Sequence, residues 1–177
     1  MSWTRIALSL VAICTLGTAV YCSGQNSGNR AMLTASGPIR LSADPVEVHL
    51  KSAQSAASIQ AVLGALKPDE KIYLVLRGLR INRQPGVVFQ ILQGSLNEKR
   101  PSGENPMGTF NFFSVPENTA SATITTPDRT TRTFEITQTL RNLPSSAKEL
   151  VITIRPSGAP AADSSPSIAG ADVVIAR

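Results

Sequence analysis

The sequence predicts an all-β fold, an antiparallel β-sandwich of about eight strands with one or two short helices. Three observations point there. Short apolar runs alternate with polar residues at a period of two. Gly, Pro, Ser and Asn interrupt those runs at close intervals. Charged residues make up 16% of the 177 residues, below the roughly 25% of an ordinary soluble domain. Aromatics contribute 5% within a hydrophobic fraction of 42%, so the core must rest mainly on Val, Ile, Leu and Ala.

Residues 1–24 read as a signal peptide or an uncleaved signal anchor. Arg5 provides a positive start, and Ile6 to Val20 is an apolar stretch short of the roughly 20 residues of a spanning helix. Cys22 and Gly24 are small residues placed for cleavage before Gln25. Tyr21 is bulky where a lipidated Cys22 would want a small neighbour. Retained, Ile6 to Cys22 could span a thin bilayer. Either way the expectation is an extracytoplasmic protein, secreted, periplasmic or membrane-anchored. Both cysteines, Cys14 and Cys22, fall in this leader, so the domain itself can form no disulfide.

Residues 25–37 are small, polar and aperiodic and read as a flexible linker, which puts the folded domain at 38–177. Pro45 to Lys51 alternates, with Val46, Val48 and Leu50 on one side and Glu47, His49 and Lys51 on the other. Ile59, Val62, Leu63 and Leu66 recur at helical spacing, with Ser52 or Ser55 as N-cap and Pro68 beyond the end. Ile72 to Leu79 is a nearly continuous apolar run, as in a strand covered on both faces. Gly86 to Gln93, Gly108 to Val115, Ala120 to Thr126 and Thr133 to Thr137 follow as strands, with Gly94 to Pro106 a loop. Gln138 to Leu143 predicts one helical turn stopped by Pro144. Glu149 to Arg155 alternates again with Leu150, Ile152 and Ile154 inward, and Asp172 to Ala176 closes the chain as a strand.

Four segments in order carry a resemblance: IYLVLRGL with QPGVVFQI (72–79 and 84–91), MGTFNFF (107–113), TFEITQTLRNL (133–143), and ELVITIRPSG with ADVVI (149–158 and 171–175). Together, over roughly residues 45–176, they resemble the C-terminal β-sandwich domain of bacterial and plant-type tyrosinases (polyphenol oxidases). VVFQI is less aromatic than that family's strand, and Gln138 stands where Asp is frequent. The resemblance implies a domain that covers a dicopper site. Here it implies a shield or folding partner acting in trans on a separately encoded tyrosinase-like enzyme.

The chain offers little chemistry of its own. A type-3 copper centre in that family takes six imidazoles, and one histidine is present. His49 lies on the polar side of its strand beside Glu47 and reads as a surface residue. No Gly-x-Ser-x-Gly elbow accompanies it. Met32 and Met107 are far apart and lack cysteine support for copper. Asp69 and Glu70 sit between Lys67 and Lys71 as a solvated cluster. No cofactor is expected, and no enzyme activity.

Formal charge is +5, with Arg77, Arg80, Arg83, Lys99, Arg100, Arg129 and Arg132 scattered. This lacks the aromatic-lined basic stripe of a nucleic-acid binder. The suggestive group is Phe110, Phe112 and Phe113. Strand geometry puts Phe110 and Phe112 on one face and Phe113 on the other, which makes Phe113 the candidate partner contact. An envelope or extracellular interaction module unrelated to copper is the alternative function.

Overall fold

Alternating strands place every second side chain on the same side, and that side becomes the core. A computed structural model describes residues 30–52, 57–96, 106–117 and 129–177. The leader, Lys99, Arg100 and the strand expected at Ala120 to Thr126 lie outside the described residues.

The strands are β1 Arg30–Ala35, β2 Ile39–Arg40, β3 Val46–Lys51, β4 Lys71–Arg80, β5 Phe89–Gln93, β6 Gly108–Phe110, β7 Arg132–Glu135, β8 Glu149–Pro156 and β9 Ser167–Ala176. Two helices, α1 Ile59–Gly64 and α2 Thr137–Arg141, complete the described elements. All strand pairs are antiparallel, in the order β6-β5-β8-β3-β1-β9-β4-β7, with β2 also against β9. The nine strands form one sheet that curls on itself into a nearly closed barrel or sandwich.

Closure depends on the two edges, β6 and β7. Phe134 of β7 packs so close to Gly108 of β6 that a Cβ there would overlap its ring. A glycine in a strand commonly marks such an approach. The Arg132 guanidinium crosses the same seam to the Asn111 carbonyl and the Ser114 hydroxyl (3.3 and 2.7 Å). Side chains thus join edges that share no ladder.

Inside the curl lie Leu50, Ile72, Leu74, Leu76, Leu150 and Ile152, each fully buried. Leu76 and Leu79 are both inside despite their odd spacing. Gly78 between them takes φ +63°, a left-handed conformation that switches the phase of the alternation. Across the ladder Ile168 and Ala171 switch together with it. Outside, Asp172 is almost fully buried; Thr34 Oγ1 donates to it at 2.8 Å and Arg77 pairs with it.

The helices cover the end of the curl where β4 begins and β7 finishes. Ser58 caps α1 by accepting from the Ala61 amide. Gln60 donates to the Leu140 and Leu143 carbonyls at the end of α2, satisfying groups that a helix C-terminus leaves open.

Several expectations are corrected. Residues 30–35, read as part of the linker, are β1, which lies between β3 and β9 in the sheet. Leu33 and Ala35 point inward there, and pairing with two neighbours fixes a segment whose own pattern is weak. The domain therefore starts at or before Arg30, not at Pro38. Ser58 rather than Ser52 or Ser55 is the N-cap. β4 buries one face and half-buries the other. β6 ends at Phe110, because the chain turns at Phe112–Val115. β9 begins at Ser167, five residues before its expected start.

A chain that starts at Pro38 should lose β1 and with it a cooperative thermal melt, whereas one that starts at Arg30 should melt as the full chain does. Circular dichroism of the two truncations decides this. A cooperative β-rich melt from the Pro38 start would mean that β1 is dispensable.

Candidate protein-binding surface

The aromatic segment separates into an inner pair and an outer ring. Phe110 and Phe112 are buried against Phe89, with ring centroids 5.5 and 5.7 Å from it, stacked and edge-on respectively. Phe113 is 63% exposed. The expected division of the three side chains holds. Its cause is a turn as well as strand alternation: the Val115 amide donates to the Phe112 carbonyl at 2.8 Å, so Phe113 and Ser114 occupy the corner of a four-residue turn.

That turn is braced from two directions. Gln84 Nε2 donates to the Phe112 and Val115 carbonyls (3.1 and 3.2 Å). Its Oε1 is buried without a partner among the described residues, a cost set against those two bonds. From the seam, Arg132 reaches Asn111 and Ser114 and also donates to the Arg129 and Thr131 carbonyls (3.1 and 2.9 Å). Asn111 Oδ1 accepts from the Phe113 amide at 3.3 Å. The exposed phenyl ring thus stands on a backbone tied at four of its residues.

The fold also gathers arginines that are scattered in the sequence. Thr130 accepts from the Leu79 amide at 2.9 Å, so residues 129–132 run beside the end of β4. Arg80, Arg83, Arg129 and Arg132 thereby lie on the two segments that frame the turn. No sequence signal announced this grouping, because it depends on contacts between distant segments.

Among solved structures, latent apple tyrosinase is similar to the chain at 19% identity and a TM-score of 0.47, over 79% of this chain and 27% of that one. The chain thus spans about a quarter of that protein's length. No family model and no curated protein matches the chain.

The remaining candidates are accounted for by local contacts. His49 Nε2 is 2.7 Å from Glu47 Oε1 and Nδ1 is 3.8 Å from Glu149, with the ring about half exposed. It lines an open groove with Ser36, Arg40 and Lys51. Glu70 accepts from the Lys67 amide at 3.0 Å, Asp69 faces Arg177, and Lys71 pairs with Glu135 at 2.8 Å. Met32 and Met107 pack against the core. Among the described residues no group of three or more His, Cys, Asp or Glu could hold a metal, and no helix is long and apolar enough to cross a membrane.

Glu47 does more than its place on a polar strand face suggested. Its carboxylate accepts from the Ser95 hydroxyl at 2.6 Å and the Leu96 amide at 2.9 Å, anchoring the chain as it leaves β5. The Ser95 and Leu96 bonds, then His49, hold its carboxyl below the usual carboxylate range. These bonds favour the ionised form. The anchor is therefore fully present above the ordinary carboxyl pKa of about 4.3 and is lost as pH falls through the lowered folded-state value.

Two outcomes follow. In an acid titration followed by NMR, the Leu96 amide resonance should move with a midpoint below that of an unperturbed glutamate, and Glu47→Ala should abolish the movement. An unchanged Leu96 titration in Glu47→Ala would exclude this anchor. Separately, Phe110→Ala and Phe112→Ala should each destabilise by roughly 3–5 kcal/mol, whereas Phe113→Ala should stay within about 0.5 kcal/mol. Thermal melts compare the three, and equal losses would mean that Phe113 is covered.

Proposed function

We propose that the chain is a non-catalytic, exported β-domain that binds in trans to a tyrosinase-like dicopper oxidase as a shield or folding partner, with Phe113 as its contact. The observation that carries the reading is the braced turn, which holds one phenyl ring in solvent while its two neighbours are buried. Exposing a large apolar side chain on a fixed backbone has no folding benefit, and it suits a partner's apolar pocket. The four sequence segments supply the kind of partner, since in the resembled family this domain covers the copper site of its own polypeptide. His49, held by Glu47 at the surface, brings neither the ligand number nor the setting for copper chemistry.

The test pairs the full chain with a tyrosinase-like dicopper enzyme that lacks a C-terminal domain of its own. Wild type should bind that enzyme and lower its phenol oxidation, and Phe113→Ser should weaken binding by roughly tenfold or more, as for a central interface residue. Binding with undiminished strength by Phe113→Ser would move the contact elsewhere. An enzyme that the wild type neither binds nor inhibits would leave an envelope interaction module as the function.

A further inference from the structure

We infer that the Phe113 turn recognises an apolar protein segment rimmed by carboxylates, with Arg80, Arg83, Arg129 and Arg132 as the collar that selects it. The inference rests on Phe113 being the contact and adds the chemistry of what it contacts.

The collar is built by the fold. Residues 80–83 leave the end of β4 and pass to Gln84, whose amide group holds the turn. Residues 129–132 enter β7 beside them through the bond from the Leu79 amide to the Thr130 carbonyl. Arg132 then ties that second segment to the turn itself. Among the described residues, two carboxylates stand with the four guanidinium groups: Asp163, paired with Arg83, and Glu117, which accepts from the Gln84 amide at 3.1 Å. Four positive charges stand against two negative here among the described residues. Arg80 and Arg129 are exposed and form no ion pair with a described residue. Guanidinium groups in that state suit carboxylates on a partner, which they can meet in bidentate pairs.

The arrangement favours a protein over other anionic partners. A single exposed phenyl ring flanked by Asn111, Ser114 and Pro116 gives too little apolar surface for insertion into lipid. It also offers no second ring for stacking successive bases. One ring within a charged border matches the apolar centre and polar rim of a protein interface. Charges at such a border act mainly on encounter rate and partner choice.

The test uses the full chain and three defined probes: a short peptide alternating Leu with Glu, its counterpart alternating Leu with Lys, and phosphatidylserine vesicles. The Glu peptide should shift the amide resonances of Phe113, Ser114 and Arg132, bind more weakly as salt is raised, and outbind both other probes. Arg80→Glu combined with Arg129→Glu spares every side chain that braces the turn. It should weaken Glu-peptide binding by roughly tenfold and reverse its salt dependence, because the surface then repels the peptide, with the thermal melt unchanged. Phe113→Ser should weaken binding while leaving the salt dependence in place. Equal binding of the Glu and Lys peptides, absence of Glu-peptide shifts at the turn, or stronger binding to vesicles overturns the inference. A double arginine variant that binds like wild type, while Phe113→Ser does not, rejects the collar and leaves Phe113 as the contact. The reverse pattern rejects Phe113 and the reading built on it.

Discussion

The join between β6 and β7 is the constraint on which the rest depends. A nine-stranded sheet that curls without meeting would expose two edges, each a row of unpaired backbone groups. Here the edges are strands of three and four residues, and side chains rather than a ladder join them. Phe134 fills the place left by the absent side chain of Gly108, and Arg132 spends its guanidinium on carbonyls and a hydroxyl from both sides. Packing and hydrogen bonding at one seam therefore close the core and fix the backbone from which Phe113 projects. Structure and surface chemistry are not separable at that point.

The two ends of the curl differ in kind. One is plugged by α1 and α2, whose polar contacts are turned onto each other and onto β4, as in the 2.9 Å bond from the Ile72 amide to Thr137 Oγ1. The other carries the turn and the arginines. Burial dominates the first end, while exposure of one ring amid positive charge characterises the second.

How much of this was legible in the sequence depended on whether the deciding contacts were local. β3 and β8 announced themselves because Val48, Leu50, Leu150, Ile152 and Ile154 alternate with polar residues over a whole strand. The inward pair Phe110 and Phe112 and the outward Phe113 were legible from alternation too, although a turn rather than a continued strand carries Phe112 and Phe113. β1 was not, since Arg30 to Ala35 shows no clean alternation, its register shifts between Ala31 and Leu33, and its pairing with β9 is made across most of the chain length. The bracing by Gln84 and the gathering of four arginines were equally silent, as they arise from tertiary contacts. The anchor role of Glu47 was hidden because strand alternation places a side chain on a face without saying what loop will arrive there.

The course of β4 and β9 bears on how the domain could be attached to anything else. Arg30 pairs with Ile175, and Lys71 with Ala176, so the chain enters at Arg30 and leaves at Arg177 beside the helices. β4 then runs ten residues, about 33 Å, toward the end that carries Phe113. Any chain joined before Arg30 or after Arg177 would therefore begin at the helix-covered end, away from the Phe113 turn.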